Sequence, residues 1–301
     1  ALPGCATPRL RCIVAGRKIQ FDRSKAIWLD FFSSLQNFIP ALNSGEYSSV
    51  MQLIHPPLTW LEAGQAFPDI FHAWGTDSGA PGLLAAGGDL TVATLQSAYS
   101  AGIFPWYSHG QPILWWSPTP RMVLEVAQFK LHRSLKKTIE KFRCDSCCEI
   151  RVDSAFREVI ESCATTAREG QSGTWIVEEM VEAYVALHQA GFAHSVETWV
   201  NGQLQGGLYC VSIGCYVFGE SMFSRSTDSS KIALAALVAF CRHHQLPFID
   251  CQQNTKHLRS LGAQEIQRSE FMSQVQCHIA RPRPHWKFDP LYWQEIIPSM
   301  T

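Results

Sequence analysis

The sequence predicts an α+β fold in which a mixed β-sheet carries helices on both faces. Three observations support this prediction. Apolar and polar residues alternate with a period of about two over 193–224, as is typical of strands. A helical segment follows at 229–244. The short apolar strand "PFIDCQ" and a helical segment at 255–266 come next. The resulting order, β-β-β-α-β-α, favours a sheet layered between helices.

Residues 193–224 are expected to form three antiparallel strands. The pair Asn201-Gly202 separates the first two strands, and this dipeptide is a strong signal for a tight hairpin. The helix at 229–244 is expected to begin at Asp228 or Ser229, whose side chains can cap it. Its apolar run has the length of a buried helix and is well short of the ~20 residues that span a bilayer, so no membrane contact is expected.

The chain is expected to consist of three parts. Residues 1–50 show neither periodicity nor the apolar core of a secretory signal. We interpret them as an extension that is either disordered or upstream of the true start. Residues 51–120 are rich in Trp, Pro and Gly and predict a small N-terminal domain. Residues 121–301 contain the sheet and predict the larger domain.

Within the small domain, a helix is predicted at 90–101, because Asp89 can cap its start and Gly102 can end it. The segment 102–121 contains four prolines and three tryptophans, which exclude a helix and disfavour a central strand. It is expected to be a rigid aromatic segment that forms a small core, the wall of a binding site, or both.

The segment 129–143 is predicted to be a helix with one apolar and one basic face. The basic face carries six cations against the single acid Glu140. A charged helix face is usually only a solvated surface. In a chain of net charge −1, however, a face of nearly one sign is the best candidate for contact with phosphates.

Two further helices are predicted before the strands of the sheet. The first spans 154–167 and has Asp153 as its expected cap, and the second spans 177–191 and ends at Gly191. A loop flanked by glycines lies between them and displays Trp175.

The cysteines indicate a reducing compartment. Their number, eleven, is odd, and several lie in apolar elements, so free thiols are expected rather than a disulfide framework. The stretch "CDSCC" at 144–148 has no second Cys or His pair at zinc-ligand spacing. We therefore expect a cytoplasmic protein without a bound metal.

The stretch "PFIDCQ" places an acid and an amide at the end of a predicted core strand. Side chains two residues apart share one face of a strand, so Asp250 and Gln252 are expected to project together. Taken alone, the two residues are better explained as the polar end of a strand that bonds a neighbouring helix terminus. A catalytic pair is the less favoured interpretation.

Several short motifs occur in a fixed order along the chain: "PGLLAAGGDLT" (81–91), "GIFPWYSHGQPILWWSPTPR" (102–121), "GTWI" (173–176), "FGESMFSR" (218–225), "SSK" (229–231), "IDCQ" (249–252) and "HLRSLGA" (257–263). With these motifs the chain resembles the bacterial leucyl/phenylalanyl-tRNA–protein transferases. Residues 1–50 lie outside the resemblance. The resemblance implies a small N-terminal domain followed by a catalytic domain like that of the GCN5-related acetyltransferases.

The resemblance also implies an activity. The family moves leucine or phenylalanine, with methionine as a further donor residue, from aminoacyl-tRNA to the N-terminal Arg or Lys of a protein. The acceptor is thereby marked for degradation by the N-degron pathway. Because the tRNA ester is already activated, no cofactor is implied, and the chain contains no P-loop motif. The implied partners of a monomeric enzyme are Leu-tRNA, Phe-tRNA and the acceptor proteins.

The implied catalytic pair is Asp250 and Gln252. The Gln252 carbonyl would accept a hydrogen bond from the attacking amine. Asp250 would either hold the Gln252 amide or take the proton itself, and the sequence leaves both alternatives open. Glu220 is implied to bind the basic N-terminal residue of the acceptor; its plain alternative is an ion pair with Arg225 or Lys231.

Two groups of residues are implied to bind the tRNA. Trp175 would stack on the terminal adenosine, a contact that contributes ~1–3 kcal/mol per base. The acceptor stem would lie against a basic cluster and be bound through its phosphates. This cluster consists of Arg133, Lys136 and Lys137.

An apolar pocket is implied to hold the transferred amino-acid side chain. Ordinary core packing is the plain alternative for each lining residue, and a difference of one methylene shifts the Leu/Phe preference by only ~1–3 kcal/mol. Three of the positions, Leu208, Val217 and Leu237, depart from the residues usual in the family, and Thr255 stands where some members have Asn. The implied lining is Trp106, Leu208, Val217, Met222, Leu234, Leu237 and Ile249.

Two other functions remain open at this point. An acetyl-CoA-dependent N-acetyltransferase would need a Gly-rich turn before a helix to bind pyrophosphate, and the sequence contains no good copy of one. A non-catalytic adaptor that binds tRNA or N-degrons would need no catalytic residue.

Overall fold

The protein is described by a computed structural model, which defines residues 57–166 and 176–297 in full. Near the N-terminus it also defines the backbone of two strands, in a region where the sequence shows no alternation. They form an antiparallel hairpin within the unit Ala1–Leu53: β1 (Arg11–Val14) and β2 (Arg17–Gln20). All further elements belong to the second unit, Ile54–Thr301.

A four-stranded sheet comes first in this second unit. Its strands lie in the order β3-β4-β6-β5, where β3 is Thr59–Leu61, β4 Leu83–Gly87, β5 Phe104–Pro105 and β6 Leu114–Trp116. The two short strands β5 and β6 thus form inside the Pro/Trp-rich segment, where a central strand was disfavoured. Trp115 and Trp116 are fully buried, so the segment does form an aromatic core.

Helix α1 (Val92–Ser100) connects β4 to β5. Thr91 caps this helix, because its hydroxyl accepts a hydrogen bond from the Thr94 N–H. Asp89, the predicted cap, instead accepts hydrogen bonds from the Thr91 N–H and hydroxyl. The predicted helix is therefore confirmed, and its capping residue lies two positions later.

A seven-stranded mixed sheet follows. Its strands are β7 (Arg121–Glu125), β8 (Cys148–Val152), β9 (Ala193–Val200), β10 (Gln203–Ile213), β11 (Tyr216–Ser224), β12 (Phe248–Gln252) and β13 (Gln264–Ile266). They lie in the order β13-β7-β12-β11-β10-β9-β8. The three predicted strands β9, β10 and β11 are antiparallel as expected, and the sequence-based prediction missed β7, β8 and β13.

Six helices accompany this sheet: α2 (Arg133–Cys144), α3 (Phe156–Thr165), α4 (Glu178–Gln189), α5 (Ser229–His243), α6 (Lys256–Ser260) and α7 (Arg268–Ile279). They cover both faces, as adjacent residues of β10 show. Cys210 belongs to the core under α5, whereas Tyr209 packs against Tyr184 of α4 and Phe156 of α3. The expected α+β architecture with helices on both faces is confirmed.

The strands β11 and β12 run parallel but stay paired over only two residues each. Val217 lies opposite Ile249, and Phe218 lies opposite Asp250. Beyond these pairs the two strands continue without pairing to each other, so the sheet opens into a wedge. This wedge, called the splay below, is where the site lies.

Two local predictions were wrong. Asp153 does not cap α3; the N–H groups of Ser154 and Ala155 donate to the buried carboxylate of Glu197 on β9 instead. The predicted helix at 255–266 ends at Ser260, and β13 follows it. Gly262 makes this turn with a φ of 102°, which only glycine adopts readily.

The described residues contain no helix that is long and apolar enough to cross a membrane. None of the nine described cysteines forms a disulfide.

Replacing Gly262 by Ala is expected to lower the free energy of unfolding by about 2–4 kcal/mol. The left-handed backbone alone costs about 1–2 kcal/mol for a residue with a Cβ, and this Cβ would also collide with the Gln128 carbonyl oxygen. Gly110→Ala is the matched control, because Gly110 has a φ of 80° in open space. Equal losses for both variants in urea unfolding would contradict the close contact.

Candidate active site

An open cavity of about 320 Å³ occupies the splay between β11 and β12. Its floor is apolar, and polar groups from the two strand ends stand at its edge. The segment after α1 closes one side. The lining residues are Phe104, Pro105, Trp106, Leu208, Tyr209, Gly219, Glu220, Ser221, Met222, Leu234, Leu237, Ile249, Cys251, Gln252, Gln253, Thr255 and Leu258.

Glu220 and Gln252 face each other across the splay. The side-chain amide of Gln252 donates to Glu220 Oε1 at 3.0 Å. The amide nitrogen is thereby fixed, and Gln252 Oε1 accepts no hydrogen bond from any described residue. The Gln252 carbonyl is therefore free to accept a hydrogen bond from a ligand in the cavity.

Two buried tyrosines complete the surroundings of Glu220. The Tyr99 hydroxyl of α1 donates to Glu220 Oε1 at 2.7 Å, and the Tyr184 hydroxyl of α4 lies 3.4 Å from Oε2. The two hydroxyls also contact each other. Glu220 thus receives hydrogen bonds from neutral donors, and its plain alternative, an ion pair, is wrong: Arg225 pairs with Glu158, and Lys231 pairs with Asp228.

Asp250 lies beneath this layer, in a fully buried ion pair with Arg121 of β7. Arg121 Nε donates to Oδ1 at 2.9 Å and Arg121 Nη2 donates to Oδ2 at 2.7 Å. The guanidinium also lies between the rings of Phe104 and Phe271, 4.7 and 4.6 Å from their centres. Both carboxylate oxygens of Asp250 are therefore engaged, and neither reaches the cavity.

The backbone departs from a regular strand between Asp250 and Gln252. The register with β7 shifts there, and Gln252 adopts a φ of 59°. Asp250 Oδ1 accepts the Gln252 N–H at 2.8 Å. The expectation that the two side chains project together is wrong, because the shift breaks the alternation. Asp250 holds the Gln252 backbone, and Glu220 holds its side-chain amide.

The environment of Glu220 changes its ionisation. Burial raises the pKa of Glu220 to about 8 and the charge of Asp250 adds to this, whereas the hydrogen bonds from Tyr99 and Gln252 and the charge of Arg121 oppose it. Burial raises the pKa of Tyr99 and Tyr184 well above their usual range, so both stay protonated as donors. Glu220 can therefore exchange a proton at neutral to mildly alkaline pH.

Six of the seven residues predicted to hold the amino-acid side chain line the cavity: Trp106, Leu208, Met222, Leu234, Leu237 and Ile249. Val217 does not, because it lies opposite Ile249 where β11 and β12 are still paired, before the splay opens. Thr255 lines the cavity and also caps α6 by accepting the Leu258 N–H.

The three basic residues predicted to contact the tRNA acceptor stem lie outside the cavity. Arg133 and Lys137 are exposed on α2, and Lys136 is half-buried with its ammonium 3.9 Å from Glu140. The predicted basic face is therefore present. Trp175 lies outside the described residues.

One cluster in the described residues has the composition of a metal site: Asp153, His188 and His194. Its groups already have partners. Asp153 accepts from the Ser195 N–H and bonds His194 Nδ1, and His188 Nδ1 bonds the Ala193 carbonyl. These contacts account for the cluster as a structural connection between β8 and β9.

The sequence did not indicate Arg121, Tyr99 or Tyr184 as functional residues. Tyr99 and Tyr184 lie within predicted helices, at positions that suit ordinary apolar packing. Arg121 is the last residue of the Pro/Trp-rich segment. A buried arginine needs a buried acid, and Asp250 in a core strand was the one available signal.

Comparison with known proteins identifies the family. Residues 123–276 match the family described as leucyl/phenylalanyl-tRNA protein transferase, and residues 88–119 match the N-terminal domain of that family. The protein named leucyl/phenylalanyl-tRNA–protein transferase in Albidiferax ferrireducens is 62% identical over 242 residues, which is 80% of this chain and 95% of that one. The chain belongs to the leucyl/phenylalanyl-tRNA–protein transferase family.

Another relative of that name, from a Polaromonas species, is 60% identical over 241 residues, covering 80% of this chain and 94% of its own. A solved GCN5-related N-acetyltransferase-like protein from Streptococcus suis matches at 14% identity and a TM-score of 0.27, over 58% of this chain and 64% of that one. That likeness is too slight to carry an argument.

The residues of the site fall in both of the segments that match the family. Tyr99 and Trp106 lie in the match to the N-terminal domain, and Glu220, Asp250 and Gln252 lie in the larger match. The cavity is thus built from both matched segments.

The variant Arg121→Met is expected to lower the free energy of unfolding by about 3–5 kcal/mol, because it leaves the Asp250 carboxylate buried without a cation. Urea unfolding measures this loss. The double variant Arg121→Met/Asp250→Leu removes both charges and should lose less. Arg157→Ala, which breaks an exposed ion pair with Glu182, serves as control; an equally small loss for Arg121→Met would contradict the prediction.

Proposed function

We propose that this protein transfers leucine or phenylalanine, and also methionine, from aminoacyl-tRNA to the N-terminal Arg or Lys of acceptor proteins. The acceptors are thereby marked for degradation by the N-degron pathway. The observation that carries this proposal is the cavity in the splay, which joins an apolar chamber to Glu220 and Gln252. The membership of the family supplies the donor and acceptor classes. As a monomer in the cytoplasm, the enzyme would meet charged tRNA directly.

The apolar chamber is proposed to hold the leucine or phenylalanine side chain. Leu208, Leu234 and Leu237 line it together with Met222 and Ile249. A branched or aromatic side chain buried there gains ~1.5–3 kcal/mol relative to water. This placement brings the ester carbonyl to the polar edge of the cavity.

Gln252 and Glu220 are proposed to act on the acceptor amine. Gln252 Oε1 accepts a hydrogen bond from the neutral amine. This hydrogen bond directs the lone pair of the amine nitrogen at the ester carbonyl carbon. As the C–N bond forms, Glu220 takes a proton from the attacking nitrogen. As the bond between the carbonyl carbon and the ribose oxygen breaks, Glu220 gives this proton to the ribose oxygen. Asp250 acts as a positioning residue through the Gln252 backbone.

The tRNA is proposed to bind through Arg133, Lys136 and Lys137 on α2, whose cations face solvent. Such contacts hold phosphates and read no sequence. Trp175 is proposed to stack on the terminal adenosine.

The transfer is tested with Leu-tRNA or Phe-tRNA and a peptide that begins with Arg. We expect a peptide bond to form on this peptide and none on its N-acetylated form. Gln252→Ala should lower the single-turnover rate about 10- to 100-fold, the effect of losing one orienting hydrogen bond of ~1.4–2.7 kcal/mol. Its affinity for charged tRNA should stay within about twofold.

Two outcomes would contradict the proposal. No transfer, with intact binding of charged tRNA, would indicate the adaptor function. Cells that carry Gln252→Ala and degrade Arg- and Lys-initiated proteins as before would indicate it as well. Glu220→Gln separates two roles of this residue: a loss of rate with both Arg and citrulline peptides indicates proton transfer, whereas a loss of discrimination between them indicates recognition of the basic side chain.

The pH dependence provides an independent prediction. Glu220 accepts a proton only when ionised, so the rate should rise with pH through about 8. Tyr99→Phe removes a hydrogen bond that stabilises the carboxylate, which raises the pKa of Glu220 and moves the rise about one pH unit higher. The acceptor amine also titrates near pH 8, but its titration is the same for both enzymes.

The control is Tyr216→Phe, whose hydroxyl bonds Gln274 and not Glu220. Its profile of kcat/KM against pH should match that of the unmodified enzyme. A Tyr99→Phe profile that also matches would show that Glu220 does not take the proton.

A further inference from the structure

A basic surface lies beside the cavity, next to residues that line it. Thr255 and Leu258 of the α6 region face into the cavity. Three of their neighbours in sequence, Lys256, His257 and Arg259, are cationic or titratable and exposed to solvent, and so is Lys231 of α5. We call this surface the basic rim and define it as Lys231, Lys256, His257 and Arg259.

The basic rim is continuous with helix α2. His132, the residue before α2, bonds the Ser260 carbonyl at the end of α6 through Nε2 at 2.9 Å. His257 lies close enough to Lys231 and His132 for their charges to lower its pKa, after the larger effect of burial. The cations of α6, α5 and α2 therefore form one electropositive surface.

The cations of α6 are not neutralised by the described part of the protein. Lys256 and Arg259 are three residues apart and lie on one side of α6. Neither side chain forms a hydrogen bond or ion pair with a described residue. Other exposed arginines do have acidic partners, as Arg157 has in Glu182 and Arg225 has in Glu158. An unneutralised pair beside a cavity indicates an anionic partner.

We propose that the basic rim binds the phosphates of the unpaired 3′ end of the RNA donor, between the duplex stem at α2 and the ester in the cavity. This inference rests on the proposed function. If the stem lies against α2 and the ester lies in the splay, then the single strand that joins them must cross the surface between, and that surface is the basic rim. Its contacts are to phosphates and are independent of base sequence.

The test uses two RNA hairpins with the same stem, one blunt and one with a four-nucleotide 3′ single strand. The double variant Lys256→Ala/Arg259→Ala should weaken binding of the overhang RNA only. The slope of log K against log salt should flatten by about 0.7 for each lost contact on a single strand, about 1.4 in all. Arg133→Ala should weaken binding of both RNAs.

Lys287→Ala is the matched control. Lys287 is exposed and follows Trp286, which stacks on Phe240 near the far end of α5 from Lys231. Its removal should change neither slope.

Three results would overturn the inference: an unchanged slope for the double variant on the overhang RNA, an equal weakening on the blunt RNA, or equal affinity of the unmodified protein for both RNAs. The proposed function is tested separately, by transfer to the Arg peptide. If no transfer occurs, that function fails, and the RNA-binding measurements can still be made.

Discussion

The buried ion pair between Arg121 and Asp250 is the interaction on which the rest of the site depends. Taking two charges out of water is costly, and the cost is offset only if each group is fully bonded. Here both carboxylate oxygens accept from the guanidinium, which also lies between the rings of Phe104 and Phe271. The pair thereby joins β7, β12, the segment after α1 and helix α7 at one point below the cavity.

The same pair sets the conformation of Gln252. A positive φ is unfavourable for a residue with a Cβ and persists only where its surroundings impose it. Asp250 Oδ1 accepts the Gln252 N–H and so imposes it, while the bulge turns the side chain towards Glu220. The two carboxylates differ in environment: Asp250 faces a cation, whereas Glu220 faces neutral donors. Only Glu220 combines access to the cavity with a pKa of about 8.

Sequence patterns predicted the centre of the fold because its elements are long and periodic. Asn201 and Gly202 do form the expected hairpin turn, with φ values of 53° and 71°. The missed strands β7, β8 and β13 have three to five residues, too few for alternation to be recognised.

The site was predictable to the extent that it follows strand alternation and family motifs. Six pocket residues meet this condition. Val217 does not. The point at which two strands separate depends on how they pair, and the sequence of one strand alone does not reveal it. The orientation of Asp250 and Gln252 was missed because a bulge reverses the alternation on which it was based. Tyr99 and Tyr184 resemble ordinary core residues until the fold brings a carboxylate between them.

The hydrogen bond from Gln252 to Glu220 couples orientation to ionisation. An ionised carboxylate accepts a stronger hydrogen bond than a neutral one. Ionised Glu220 therefore holds the Gln252 amide firmly and leaves Gln252 Oε1 directed away from it. Protonation weakens that hold, so the proposed base, Glu220, would also control the side chain that is proposed to orient the amine. Below about pH 8 the site would lose its base and its fixed Gln252 carbonyl together.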